Sequence, residues 1–226
     1  MIQAVVFDFD GLILDTEYPE YVSWREIYQS HGANLPLAAW ERSIGSMDLN
    51  LFDPYGCLEA QLGRPVDRTE ICARRRPRFA ELVAAQSVLP GVEDYLVGAR
   101  RLGLKVGLAS SSSRAWVTGH LARFGLNGAT FDCLCCGDEA ERTKPDPELY
   151  LAVLGALAVR GDQAVALEDS PNGVAAAKAA GLYCVAVPNL LTHRLAFDRA
   201  DLRLNSLADM PLERLLEEVE SNGHKP

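Results

Sequence analysis

The sequence has little of what membrane-spanning, secreted or nucleic-acid-binding proteins need. No apolar run in its 226 residues reaches the ~18–20 residues that cross a bilayer, and no signal-peptide pattern stands at the N-terminus. Lys and Arg number 22 against 31 Asp and Glu, and the net charge of −9 argues against a general nucleic-acid binder. We therefore expect a cytoplasmic protein with no membrane and no nucleic-acid partner.

Cysteine and histidine are also few, and they are not arranged as ligands of soft metals. The six cysteines do not form paired CxxC units, and the four histidines show no metal-ligand spacing. Without a secretion signal, a disulfide framework is not expected. We interpret "CLCC" (133–136) as small buried residues of a strand rather than as a metal or redox site.

Short apolar runs alternate along most of the chain with segments that carry helix signals. Ser170 and Pro171, like Asp146 and Pro147, combine an N-cap residue with a proline at the first helical position. The predicted strands, apolar enough to be buried on both faces, are 2–7, 104–109, 130–135, 163–168 and 183–188. Strands that alternate with helices predict an α/β fold with a doubly wound, mostly parallel sheet.

Residues 17–87, which we call the helical insertion, break this alternation because they show only helical patterns and loops. "VLPGV" (88–92) is the predicted return to the sheet. We therefore predict two domains, a Rossmann-like core of residues 1–16 and 88–226 and an all-helical domain of residues 17–87.

Acidic side chains follow two of the predicted strands at the point where each strand ends. Asp8 and Asp10 follow the first strand, and Glu168 and Asp169 follow the fourth. An Asp-x-Asp pair alone often belongs to a turn or a helix cap. However, the carboxyl ends of parallel strands meet at one edge of a sheet, where ligands bind, so we expect all four acids to converge there. Clustered carboxylates repel one another unless a cation or a shared proton intervenes.

The remaining strand ends add groups that bind phosphate. Ser110 and Ser111 follow the second strand, and Lys144 precedes a helix. Four acids against one ammonium require a divalent cation, and a site of hard oxygen ligands favours Mg²⁺ over Zn²⁺ or Ca²⁺. Hydroxyl groups, an ammonium and Mg²⁺ together cradle a phosphoryl group, which predicts a small phosphorylated metabolite as partner.

These residues carry a resemblance to a known family. "DFDG" (8–11) with "DTE" (15–17), Ser110, "KP" (144–145) and "EDS" (168–170) resemble the four motifs of the haloacid dehalogenase superfamily. The helical insertion is similar to the small cap of that superfamily, in the branch that contains β-phosphoglucomutase and sugar-phosphate phosphatases. The resemblance extends over nearly the whole chain.

The resemblance implies a role for each motif residue. Asp8 is the nucleophile that forms an aspartyl-phosphate, and Asp10 is the general acid and base. Asp8, Asp169 and the backbone carbonyl of Asp10 are implied to bind Mg²⁺, with Glu168 as a further ligand or as a partner of one.

Further residues are implied to bind the substrate. Ser110, Ser111 and Lys144 hold the phosphoryl group. In the helical insertion, the run Arg74, Arg75, Arg76 and Arg78 is typical of a solvated helix face. Guanidinium groups nevertheless suit phosphate, so Arg75 or Arg76 is the candidate to reach the substrate, and Arg76 is our choice. "SIGSM" (43–47) is a candidate substrate-facing loop. Trp24, at helical spacing with Tyr21 and Tyr28, is more typical of packing than of a sugar platform.

The expected activity is a phosphatase that acts on a small phosphate monoester such as a sugar phosphate. A β-phosphoglucomutase is the alternative. Glu20, however, stands where those mutases have a histidine, and no arginine closely follows "SIG" to hold a second phosphate. A receiver-type signalling module and a metal-free dehalogenase remain further alternatives. We expect a monomer, although no feature of the sequence determines the oligomeric state.

Overall fold

The computed structural model describes residues 1–41, 44, 52–126 and 130–221. The strands are β1 (Ala4–Phe7), β2 (Lys105–Ser110), β3 (Cys133–Cys136), β4 (Ala164–Glu168), β5 (Tyr183–Ala186) and β6 (Leu202–Arg203). The helices are α1 (Glu17–Ser30), α2 (Leu37–Glu41), α3 (Pro54–Leu62), α4 (Arg68–Ala84), α5 (Val92–Arg101), α6 (Arg114–Arg123), α7 (Glu148–Leu157), α8 (Pro171–Ala179) and α9 (Leu212–Ser221).

The strands form one parallel sheet in the order β3-β2-β1-β4-β5-β6, which confirms the predicted fold class. β1 lies in the middle, where Val5 is paired with Val106 on one side and with Val165 on the other. The five predicted strands are present, with shifts of up to three residues at their ends. β6 was not predicted, because a strand of two residues shows no periodicity.

The alternation of side chains along β1 divides the core into two layers. Val5 and Phe7 face an apolar cluster that includes residues of α5, α6 and α9. Ala4 and Val6 face a second cluster that includes residues of α7 and α8. All four side chains of β1 are fully buried, so the strand is covered on both faces and its C-terminal end lies at the middle of one sheet edge.

The helix starts agree with the capping signals at one of the two predicted sites. Ser170 accepts a hydrogen bond from the N–H of Gly173, and Pro171 is the first residue of α8. The prediction for α7 was wrong by one residue, because Pro147 precedes that helix and Glu148 begins it. Asp146 still accepts a hydrogen bond from the N–H of Glu148, at 3.0 Å, so its side chain caps the helix from one position further away.

The helical insertion leaves and rejoins the core at one place. Leu14 and Val88 form an antiparallel bridge, and the N–H of Leu89 donates to the carbonyl of Ile13 at 2.9 Å. The insertion has its own buried apolar cluster, in which Trp24 packs edge-on against Tyr55. The division into two domains remains a prediction. Within the described ranges, no helix is both long and apolar enough to span a membrane.

Candidate active site

Asp8 follows β1 at the middle of the sheet edge, and the chain then turns sharply to bring Asp10 nearby. The N–H of Asp8 extends the pairing with β4 by donating to the carbonyl of Leu167 at 3.0 Å. Gly11 has a φ of +81°, and a Cβ on it would overlap the carboxylate of Asp169. A glycine is therefore needed here both for the left-handed turn and for the close approach of β1 and β4.

Three carboxylates converge at this edge of the sheet. Asp8, Glu168 and Asp169 each place an oxygen within 4.8 Å of the others, and all three side chains are buried. We call these three residues the acid cluster. It consists of residues that follow or end β1 and β4, the two neighbouring strands at the centre of the sheet.

Lys144 lies inside the acid cluster and bridges two of its members. Its Nζ is 2.6 Å from Oδ1 of Asp8 and 2.6 Å from Oε1 of Glu168, and the side chain is 2% exposed. The hydroxyl of Tyr150, on α7, donates to the same Glu168 oxygen at 2.6 Å. The ammonium is thus held in place by the two acids that it neutralises in part.

The acid cluster contains three carboxyl groups and only one ammonium group contacts it among the described residues, and the pKa values of its members are shifted accordingly. Burial, together with the carboxylate of Glu168, raises the pKa of Asp8 to about 7 despite the opposing effect of Lys144. Burial and the neighbouring acids also raise the pKa of Asp169. Burial lowers the pKa of Lys144, but the charges of Asp8 and Glu168 raise it by more, so the lysine stays an ammonium.

The donor set fits a hard divalent cation. Three buried carboxylates against one ammonium leave two negative charges when all are ionised, and a divalent cation would neutralise them. Carboxylate oxygens are the ligands that Mg²⁺ prefers, and among the described residues no histidine or cysteine joins the cluster. Asp8, Glu168 and Asp169 could therefore hold Mg²⁺.

Two residues that the sequence analysis did not name shape the surroundings of Asp169 and Glu168. Asn189, in the loop after β5, donates from Nδ2 to Oδ2 of Asp169 at 2.7 Å. Gly173, in the first turn of α8, leaves room for Glu168, because a Cβ there would overlap the Glu168 carboxylate. The steric need for a glycine at position 173 becomes visible only in the packed structure.

The carboxylate of Asp10 lies outside the acid cluster and accepts four side-chain hydrogen bonds. Thr16 and Trp116 donate to Oδ1 at 2.8 and 2.9 Å, and Ser112 and Ser110 donate to Oδ2 at 2.7 and 3.4 Å. Of these donors, sequence analysis named only Ser110 as a site residue. The donors are hydroxyl groups and an indole, so neutral groups alone orient the carboxyl group of Asp10.

The predicted phosphate-binding hydroxyls lie at the end of β2, beside β1. Ser110 is fully buried, and its Oγ accepts a hydrogen bond from the N–H of Ser112 at 3.0 Å. The Oγ of Ser111 is buried, and it has no hydrogen-bond partner among the residues that the structure describes. A buried hydroxyl without a partner is rare in folded proteins, and a phosphate oxygen would satisfy it.

Glu17, at the start of α1, also belongs to this region and was quoted in a motif without a role. Burial raises its pKa to about 8, and the charges of Asp10 and Glu20 add to that effect. The sequence contains only the run of acids from residue 15 to 20 as a signal, and that run is also typical of a helix N-terminus.

In the helical insertion, the structure does not bring Arg76 to the acids. Its side chain is exposed, and no ion pair or hydrogen bond found within the described residues joins it to the site. Arg75 points inward instead, pairs with Glu20 at 2.7 Å and lies over the ring of Trp24. Trp24 is buried, in agreement with a packing role. Of the "SIGSM" loop, all residues except Ile44 lie outside the described residues.

The chain is similar to several known proteins. The model of the haloacid dehalogenase-like hydrolase family matches residues 2–181. YhcW of Bacillus subtilis (strain 168) is 47% identical over 223 residues, which cover 99% of this chain and 100% of that protein. A phosphorylated carbohydrates phosphatase of Thermotoga maritima is 31% identical over 182 residues, or 80% of this chain and 82% of the other.

A solved structure is similar over most of its length. The crystal structure of CbbY from Rhodobacter sphaeroides in complex with phosphate has a TM-score of 0.71 and 28% identity, and the match covers 92% of this chain and 96% of that one.

Proposed function

The chain belongs to the haloacid dehalogenase-like hydrolase family and is a phosphoric monoester hydrolase, and we propose that it hydrolyses a small sugar or polyol monophosphate through an aspartyl-phosphate on Asp8. One observation carries this proposal. Asp8, the residue at the end of the central strand, lies within 4.8 Å of two further buried carboxylates and 2.6 Å from the ammonium of Lys144. Such a site attracts a phosphate ester only with a cation present.

Mg²⁺ is the cation that we propose, held by Asp8, Asp169 and Glu168. When bound, it would supply positive charge to the phosphoryl oxygens and neutralise the acid cluster. The backbone carbonyl of Asp10 is a further proposed ligand. The geometry supports this assignment, because three buried carboxylates lie around a single ammonium, and burial together with the neighbouring acids raises the pKa values of Asp8 and Asp169.

Asp8 and Asp10 divide the chemistry between them in this proposal. A carboxylate oxygen of Asp8 attacks phosphorus while the bond to the ester oxygen breaks, and Asp10 protonates the departing oxygen. Asp10 then takes a proton from the water that attacks the aspartyl-phosphate, which releases phosphate and restores Asp8. Four hydrogen bonds to Asp10 support this role, because they fix the carboxyl group in one orientation.

Lys144, Ser110 and Ser111 are proposed to hold the phosphoryl group. Lys144 neutralises the attacking carboxylate, and its fixed position between two acids means that little reorganisation is needed during the reaction. The hydroxyls of Ser110 and Ser111 donate to phosphoryl oxygens, and the free hydroxyl of Ser111 is the stronger evidence for such a role.

We propose the substrate class from the name of a relative and from the carboxyl groups that lie near Asp10. The Thermotoga maritima relative is a phosphatase of phosphorylated carbohydrates. Glu17 lies near Asp10 and Glu20, so this region is lined by carboxyl groups, which suit a neutral hydroxyl-rich leaving group better than a second phosphate whether or not Glu17 is ionised. On this proposal residues 17–87 form a cap domain over the site.

The structure gives the mutase alternative no support at Glu20. The carboxylate at this position pairs with Arg75 at 2.7 Å, so both side chains are engaged with each other rather than available to a phosphosugar. A mutase must exclude water while it holds a bisphosphate, whereas a phosphatase must admit water.

A panel of phosphate monoesters tests the proposal, with released phosphate as the readout. We expect turnover of sugar or polyol monophosphates and of p-nitrophenyl phosphate. Incubation with β-glucose 1-phosphate and a bisphosphate primer separates the two alternatives, because a mutase yields glucose 6-phosphate and a phosphatase yields free phosphate. No phosphate release from any ester of the panel would contradict the proposal.

A further inference from the structure

Trp116 contacts Asp10 directly. It lies in the first turn of α6, six residues after Ser110, and its Nε1 is 2.9 Å from Oδ1 of Asp10. The indole N–H is a donor only and is fixed by the ring, whereas a hydroxyl can rotate to another acceptor or accept a bond itself. The indole therefore restricts the orientation of the carboxyl group more strongly than a serine or threonine does.

The indole is held in turn by a residue of the helical insertion. The ring of Phe79, on α4, stacks on Trp116 with centroids 5.7 Å apart and an angle of 11° between the planes. His120, one turn further along α6, packs edge-on against the indole at 4.2 Å. Trp116 thus lies between a helix of the core and a helix of the insertion.

Phe79 also contacts Arg75, which links α4 to α1 through an ion pair. The guanidinium of Arg75, one turn earlier on α4, lies 5.7 Å from the Phe79 ring centroid and pairs with Glu20 on α1. A displacement of α4 from the core would separate Phe79 from Trp116. The hydrogen bond from the indole to Asp10 would then lose one of the contacts that fix its direction.

We propose that Trp116 is a positioning residue for Asp10. Through its stack with Phe79, the orientation of Asp10 depends on whether α4 is packed against the core. The proposal rests on the proposed function, in which Asp10 gives its proton to the ester oxygen as the bond from phosphorus to that oxygen breaks and the bond to Asp8 forms. When α4 is packed against the core, the carboxyl group of Asp10 is held in the orientation that proton transfer needs. When α4 moves away, the proton transfer is less favourable, and phosphoryl transfer to Asp8 slows for those esters whose leaving group needs the proton.

The dependence of the rate on the leaving group tests this role. An alkyl or sugar alcohol needs the proton from Asp10 to depart, whereas p-nitrophenol departs as a stable anion without it. The ratio kcat/KM reports the steps up to phosphoryl transfer to Asp8, so it isolates the acid step from the later attack of water. Trp116→Phe keeps an aromatic ring for the stack and removes the N–H together with part of the indole.

We expect Trp116→Phe to lower kcat/KM about tenfold on a sugar monophosphate and less than about twofold on p-nitrophenyl phosphate. Phe79→Leu, which keeps the indole but removes the stack, should show the same selectivity with a smaller loss, and Phe79→Tyr should restore the wild-type ratio between the two substrates. Trp40→Phe, in the insertion and away from Asp10, is the matched control and should leave the ratio unchanged.

Equal losses on both substrates, or no loss, would overturn the positioning role of Trp116. Selectivity in Trp116→Phe without any in Phe79→Leu would overturn the coupling to α4. If the wild-type protein hydrolyses neither ester, the proposed function fails and this inference falls with it. Turnover of both esters by the wild type, with an unchanged ratio in Trp116→Phe, overturns the inference alone.

Discussion

The Nζ of Lys144 lies 2.6 Å from Oδ1 of Asp8, although 136 positions separate the two residues in the chain. Both side chains are buried, so neither charge is well solvated. Removing one partner of such a pair leaves a buried charge without compensation. The two residues are nevertheless not equivalent, because Asp8 is one of three acids, whereas Lys144 is the one cation found within this cluster among the described residues.

This asymmetry predicts opposite effects on stability from two inactivating variants. Asp8→Asn should abolish turnover of p-nitrophenyl phosphate and leave the metal-free protein at least as stable as the wild type, because one of three repelling carboxylates is gone. Lys144→Met should also inactivate the protein, but it should lower the free energy of unfolding by about 3–5 kcal/mol. Urea unfolding followed by circular dichroism, together with turnover assays, measures both quantities. Retained activity in Asp8→Asn would exclude Asp8 as the nucleophile.

Mg²⁺ should be needed for activity and should stabilise the fold. Chelation with EDTA should remove turnover, and added Mg²⁺ should restore it. Because the ion binds only the folded protein, a concentration one hundred times its Kd should add about 2.7 kcal/mol to the free energy of unfolding. Thermal unfolding with and without Mg²⁺ measures the effect, and Asp169→Asn should greatly reduce it. An unchanged rate after chelation would favour a metal-free mechanism.

The convergence of the acid cluster could be predicted because it depends only on topology. Asp8, Glu168 and Asp169 lie at strand ends, and all parallel strands of one sheet end at the same edge. Lys144 could be placed from the motif that the family resemblance supplied. None of these positions required knowledge of how a helix is rotated or of how a loop runs.

The residues that sequence analysis missed depend on such details. Trp116 reaches Asp10 only because of the rotation of α6 about its axis, and Asn189 reaches Asp169 only through the path of the loop after β5. The choice of Arg76 over Arg75 stays a prediction, although it is Arg75 whose side chain turns inward and pairs with Glu20. Successive helix positions differ by about 100° in direction, and the sequence does not show which of two adjacent arginines faces inward.

Gly173 offers a test of the packing around Glu168. Gly173→Ala should force the Glu168 carboxylate to move, because the added Cβ would overlap it, and the contact with Lys144 would be lost. We expect a loss of about 2 kcal/mol or more in the free energy of unfolding, together with weaker Mg²⁺ binding. Urea unfolding and Mg²⁺ titration measure the two effects.

Gly155→Ala is the matched control for that substitution. Gly155 lies in the exposed part of α7, and a Cβ there meets nothing within 4 Å. Alanine should therefore stabilise the protein by about 0.5–1 kcal/mol, as expected for a glycine in a helix interior. Equal effects of the two substitutions would show that Glu168 is not confined by α8.

Glu17 should make the metal-free protein less stable as the pH rises. Its pKa is about 8 in the folded protein, above the ordinary value of 4.5, so the folded state holds the proton over a pH range in which the unfolded state has lost it. The stabilisation is therefore complete below about pH 4.5 and is lost as the pH rises towards 8. Asp8 and Asp169 act in the same direction, so the wild-type slope is the sum of several groups.

Glu17→Gln isolates the contribution of this one group. Between pH 5 and pH 8.5 the variant should lose about 1–3 kcal/mol less of its free energy of unfolding than the wild type, because glutamine has no proton to release. Urea unfolding in the presence of EDTA at both pH values measures the difference. Glu141→Gln, at an exposed position, is the control and should follow the wild-type slope. If Glu17→Gln differs from the wild type by the same amount at both pH values, the pKa of Glu17 is not raised in the folded protein, and Glu17 makes no contribution to the loss of stability with pH.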